Sequence, residues 1–400
     1  MVTFKPNLFL PTVHVCAAVS LFAVFACFPL PALAEDIGEQ KIDTAQIALW
    51  VKQLGANKFA ERESAAAHLA DLGLDAIPVL QEASEQTADA EVRLRAGKLI
   101  RQLTEGDMRA HIEAFLAGKD VSFDGWNRVA MLMGDSIGVR ELFVEIMLAH
   151  PEVTKSLAGA SRDRYVAMEV AVGRVSSRMY EQFQPATRAD IVALLLPAID
   201  AAVPVSESNE SLLLSILRQS EGSRLHRDMQ LSGPIDELVG IWVNRSSLAN
   251  REEMIFFAMN WQLPSVLPIA EKTLVESTAA NTIATALQAI SQYGDRDDTE
   301  LVAHFLDDTR LIASQSIVAG DISETMIGDA AMITIARLLY NGPITEMGFP
   351  SDEKHPLQGF ILEEIGYSKA NPDDRKAIRK RIDELVDAER KRRAGELDQS

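Results

Sequence analysis

Phe59-Ala60-Glu61-Arg62-Glu63-Ser64-Ala65-Ala66-Ala67-His68-Leu69-Ala70-Asp71-Leu72-Gly73 carries apolar residues three and four apart, the spacing of one buried helical stripe. The pattern returns in Ala90-Glu91-Val92-Arg93-Leu94-Arg95-Ala96-Gly97-Lys98-Leu99-Ile100-Arg101-Gln102-Leu103. Arg62 matches Arg93, Ala65 matches Ala96, Leu69 matches Ile100 and Leu72 matches Leu103. Each offset is 31 residues, the length of a two-helix repeat. Between the copies, Ala76-Ile77-Pro78-Val79-Leu80 opens a second helix running to about Ser84. Thr44 to Leu54 forms an amphipathic helix ahead of the first copy. Gly73 can take the left-handed conformation that ends a helix. Pro78 sits in a first turn, where its missing N–H is harmless. One helix pair leaves a face unburied, so the pattern predicts pairs that stack.

Composition agrees with helix. Of 400 residues, 47% are hydrophobic, 24% charged and only 6% aromatic, the balance of a folded chain poor in strand formers. The formal charge is −19, which disfavours nucleic acid and anionic membrane as partners.

The first residues read as a leader. Lys5 is the only charge before Glu35, and an apolar stretch from Leu8 to Leu33 ends in Ala32-Leu33-Ala34 ahead of Glu35-Asp36. This is the pattern of a secretory signal peptide over 1–34, with cleavage after Ala34 and a periplasmic or extracellular product. Cleavage removes Cys16 and Cys27, leaving no thiol for a disulfide, a nucleophile or a metal. Two other fates are open: retention as an inner-membrane anchor, or lipidation at Cys27 in a poor Val24-Phe25-Ala26-Cys27 box.

The repeat pattern weakens over 108–263, which stays helical by period, and returns over 264–340. Leu267-Pro268-Ile269-Ala270-Glu271 echoes Ile77-Pro78-Val79-Leu80-Gln81, and Asp329 to Leu339 reads as a further first helix. Hinges are expected at Ala201–Asn209, Gly222–Gly233 and Gly342–Leu357. A loop-rich segment at 341–370 precedes a charged helix at 371–400, opened by Asn371-Pro372-Asp373-Asp374.

The Val92-Arg93-x-x-Ala96-x-x-Leu99 and Ile77-Pro78-Val79-Leu80 strings resemble the two helices of a HEAT repeat. Gly125-Trp126-Asn127-Arg128, Gly134-Asp135, Arg140-Glu141-Leu142-Phe143-Val144-Glu145, Tyr293-Gly294-Asp295 and Met347-Gly348-Phe349 resemble strings of exported bacterial HEAT-repeat proteins. The resemblance implies an α-solenoid, a superhelix of stacked antiparallel helix pairs acting as a scaffold. It supplies no catalytic residues.

Chemistry-bearing motifs are sparse. His68, His111, His150, His226, His304 and His355 are scattered, without a paired metal-site spacing. Asp295-Arg296-Asp297-Asp298-Thr299-Glu300 is the densest carboxylate cluster. It breaks the calcium-loop pattern at Thr299 and Leu306 and reads as a solvated turn, though a metal would be sought there first. Ser351-Asp352-Glu353-Lys354 fits a serine-acylation motif without its companions. Arg375 to Arg381 and Arg390 to Arg393 make a basic helix, read as a terminal cap in preference to a docking site. Trp50, Trp126, Trp242 and Trp261 read as packing in preference to a binding strip. The expectation is a non-catalytic exported scaffold that binds protein and needs no metal or cofactor. The alternatives are an enzyme or metal-dependent protein with a site in 108–263, and a membrane-tethered scaffold.

Overall fold

A computed structural model of the chain describes residues 44–316 and 321–397. The leader and its cleavage point lie outside the described residues. What is described is mostly helical, with eighteen α-helices, and falls into two compact units whose boundary lies at Glu105–Gly106. No helix among the described residues is long and apolar enough to cross a membrane.

The first unit holds α1 (Thr44–Gln53), α2 (Phe59–Asp71), α3 (Ile77–Gln86) and the start of α4 (Ala90–Leu116). Its core is Leu54, Ala65, Leu69, Ala76, Leu80, Val92, Ala96 and Leu99. The 31-residue offset is visible in hydrogen bonds. Arg62 donates to the Ala56 carbonyl at 2.8 Å, and Arg93 donates to the Thr87 carbonyl at 2.7 Å. Ala65 and Ala96 are both buried where helices approach. Helix α4 runs on as one 27-residue helix through the 104–108 break in the repeat pattern.

The second unit continues with α5 (Trp126–Met133), α6 (Ile137–Ala149), α7 (Pro151–Ser156), α8 (Ser161–Ser176) and α9 (Arg188–Ala198). Then come α10 (Glu207–Leu217), α11 (Ser220–Arg227), α12 (Ser232–Val243), α13 (Arg251–Asn260), α14 (Leu267–Glu276) and α15 (Ala280–Tyr293). It closes with α16 (Thr299–Ala303), α17 (Ile327–Leu339) and α18 (Pro372–Leu397). Helix α9 packs against α6, α7, α8, α10, α11 and α12 and is buried from Ala189 to Ala198. Its Ala-Asp-Ile-Val-Ala-Leu-Leu-Leu-Pro-Ala sequence is apolar nearly all round, as a helix enclosed by others must be. The 190-residue echo is geometric too: α14 has the length of α3, each follows a 3-10 turn, and each has proline in its first turn.

Two local expectations change. A small antiparallel sheet, β1 (Leu311–Ser316), β2 (Ile322–Met326) and β3 (Tyr367–Ser368), interrupts the span read as helical repeat. Leu311 lies opposite Met326, and Glu324 opposite Tyr367. Its buried alternation is carried by Ser323 and Thr325, polar residues that apolar periodicity does not register. The stretch Gly222–Gly233, read as a hinge, begins inside α11 and ends inside α12, and its Gly222 has a packing role. A Cβ at Gly222 would sit 2.1 Å from the Leu217 carbonyl oxygen, so glycine is required for close approach.

Candidate interaction site at an aromatic π turn

Helix α8 does not end in an ordinary cap. Ser177–Glu181 continues it as a single π turn, a form that recurs at functional positions. The Gln182 N–H reaches the Ser177 carbonyl at 3.2 Å, and the Gln184 N–H reaches the Arg178 carbonyl at 3.0 Å. This widened turn projects two aromatics into solvent: Tyr180 is 63% and Phe183 87% exposed. Phe183 also has φ +53°, a left-handed conformation disfavoured for a bulky side chain. Val166 and Val170, one turn apart on the outer face of α8, extend the apolar surface. They line a recess of about 390 Å³ with Glu152, Lys155, Arg162 and Asp163.

A buried charge network holds the turn from beneath. Asp190 and His150 are both fully buried, and His150 Nε2 donates to Asp190 Oδ1 at 2.8 Å. Arg178, inside the π turn, donates to Asp190 Oδ2 at 2.5 Å. The Thr187 N–H and hydroxyl donate to the same oxygen at 2.7 and 2.8 Å. On the other side of the imidazole, Arg174 donates to His150 Nδ1 at 3.1 Å and to Glu152 at 2.6 Å. Two arginines and two carboxylates flank the imidazole, and each of its nitrogens has a partner. Burial opposes the Asp190 charge, but hydrogen bonds from His150 and Thr187, with Arg178 alongside, hold its carboxyl below the ordinary range. Both imidazole nitrogens have protein partners, and Arg178 links the buried pair to the turn.

The network as a whole is not legible in the sequence, because His150 stands there as one of the scattered histidines. Thr187-Arg188-Ala189-Asp190 is a capping box legible in the sequence, and it places Asp190 at the start of α9. The partners on α6 and α8 required the fold.

The other singled-out residues are drawn into packing or pairing. Trp126 and Trp242 are core, Trp50 stacks on His68 at 4.8 Å, and Trp261 stacks on His226 at 4.6 Å. His226 Nδ1 meets Asp236 at 2.8 Å; burial raises the Asp236 carboxyl, and no hydroxyl among the described residues bonds the imidazole. His111 and His304 bond carbonyls one turn back, and His355 Nδ1 accepts from the Gln358 N–H. Ser351 Oγ accepts from the Glu353 N–H, while Lys354 Nζ reaches the Gln292 carbonyl at 3.4 Å, so the two motif residues serve different contacts.

The acidic cluster and the basic helix, separate in the sequence, meet in the fold. Arg390 forks onto Glu300 at 2.9 and 3.1 Å, and Arg393 pairs with Asp297 at 3.2 Å. Asp295 and Asp298 cap their own turn. Ile378, Ile382 and Val386 bury the inner face of α18. Arg392 and Arg393 hold the buried Glu389 carboxyl down to about 2, and Arg390 lowers Glu300. A lowered carboxylate contributes stability above its unfolded range and loses it as pH falls through the folded value. Amide exchange across α18 should therefore stay slow at the ordinary glutamate value, about 4.3. The protection factor, the rate relative to the intrinsic rate at each pH, should fall as pH approaches 2. Protection already lost at the higher pH would show that these arginine–carboxylate pairs do not stabilise α18.

No family model, curated protein or solved structure matches the chain.

Proposed function

We propose that the chain is a non-catalytic, exported scaffold of HEAT-like stacked helix pairs that docks a protein partner on the Tyr180–Phe183 turn. The observation that carries this is Phe183: a large aromatic both exposed and at positive φ, two residues beyond a turn that Arg178 ties to the buried Asp190. Exposure and strain each cost stability, and such strain is retained where it serves a site. Export rests on the leader pattern of 1–34, and the repeat reading is supported by the matching Arg62 and Arg93 bonds. The chain's charge of −19 and the exposed Glu181 in the turn favour a partner with an apolar pocket and a basic rim.

Phe183→Asn separates stability from binding. Asparagine accepts the left-handed conformation, so the variant should melt no lower than the parent. Partner affinity, measured by calorimetry on the protein recovered from the native host, should fall at least about thirtyfold, the loss of one aromatic anchor. Unchanged affinity with an intact fold would remove Phe183 from the interface.

A further inference from the structure

Arg337, near the end of α17, is, like Arg245, a half-buried arginine without an ion pair among the described residues. Arg174, Arg178, Arg188 and Arg375 each meet a carboxylate. Arg337 instead donates to two carbonyls, those of Gly359 and Glu353, the latter at 2.8 Å. Lys354 stands beside it, with the Gln292 carbonyl as its hydrogen-bond partner at 3.4 Å. Neither cation forms an ion pair among the described residues. Burial lowers Arg337, and burial followed by the Arg337 charge lowers Lys354, as expected for two cations held together without a counter-charge.

The pair faces a recess of about 270 Å³ between the end of α15, α17 and the loop that follows it. Tyr340, Pro343 and Ile344 give it an apolar wall. Ser291 lines its floor, buried to 5% exposure, and its hydroxyl has no hydrogen-bond partner. One acid, Asp352, also lines the recess, but both its oxygens are engaged, by the Thr345 N–H and hydroxyl at 2.7 Å each. Among the lining residues two cations without ion pairs face one carboxylate, Asp352; a second acid, Glu346, is bonded to the Tyr340 hydroxyl of the wall.

We infer that this recess binds a small carboxylate, with its headgroup on Arg337 and Lys354 and its apolar body against Tyr340 and Ile344. Both terminal nitrogens of Arg337 already donate to carbonyls, so Arg337 contributes chiefly charge and Lys354 the movable donors, while the apolar wall selects a short hydrocarbon over a bare inorganic ion. The carboxylate can belong to a free organic acid or to the C-terminus of a peptide.

Calorimetric titration of the full chain with hexanoate, acetyl-leucyl-leucine and the amide of that dipeptide distinguishes the sources. At least one of the two acids should bind saturably and the amide should not. Stronger binding of hexanoate assigns a free acid, and stronger binding of the dipeptide assigns a C-terminus. Lys354→Gln should weaken the binding about tenfold, and Lys354→Arg should retain it. Lys354 lies at the rim of the recess, partly covered, and its hydrogen bond to the Gln292 carbonyl, at 3.4 Å, is long, so these variants spare the loop that Arg337 anchors. Absence of saturable binding by both acids, equal binding of acid and amide, or full affinity in Lys354→Gln would overturn the assignment.

Discussion

Asp190→Ala should destabilise the chain by about 3–5 kcal/mol, the cost of removing one partner from a buried charge network. The reason lies in what the carboxylate leaves behind. Arg178, the Nε2–H of His150 and the Thr187 N–H all converge on its two oxygens, and His150 and Asp190 are sealed from water. Alanine leaves these donors unpaired without giving the imidazole access to solvent. Asp190→Asn keeps an acceptor but loses the charge and should fall between alanine and the parent. Because its carboxyl is held below the ordinary aspartate range, the parent's advantage is present above that range and lost as pH falls through the folded value. Urea unfolding of the three proteins at neutral pH checks the order. A loss under about 1 kcal/mol for alanine would mean that the network contributes little to the fold.

The second large effect belongs to α18. Arg375 Nε and Nη2 reach Asp329 at 2.9 and 3.0 Å, and Nη2 also donates to the Glu324 carbonyl. Asp329 is 2% exposed and caps α17 by accepting the Met326 N–H at 2.7 Å. Arg375→Ala strands this carboxylate and should cost about 3 kcal/mol. Burial already raises the Asp329 carboxyl against the pull of Met326 and Arg375. A raised carboxyl is least costly when protonated, so the variant's deficit should shrink as pH falls and grow as it rises. Replacing both partners, Arg375→Met with Asp329→Leu, should recover much of the loss, since an apolar pair needs no counter-charge. A double variant no better than Arg375→Ala would show that the Met326 cap matters more than the ion pair.

The helical class was legible because it rests on apolar spacing and on Gly73 and Pro78, both local features. The 31-residue repeat was legible down to Arg62 and Arg93, which turn out to make equivalent bonds. The small sheet was not, because Ser323 and Thr325 supply its buried face and its third strand lies some forty residues further on. The acidic turn and the basic helix were each legible as clusters, but their pairing spans 90 residues and depends on how α18 returns to α16. The candidate site was the least legible. Tyr180 and Phe183 look like ordinary apolar residues in sequence, and only a π turn places them outside. That turn in turn depends on His150 and Asp190, 40 residues apart.

Photo-crosslinking in the native host tests the docking role most directly. A photoreactive phenylalanine analogue at position 183 should give one discrete protein adduct, abolished when Tyr180 is changed to Asp. The same analogue at Leu94, an apolar residue of the first unit that is also exposed, should not give that adduct. Equal adducts at both positions, or none at 183 from a folded chain, would contradict a partner seated on the aromatic turn.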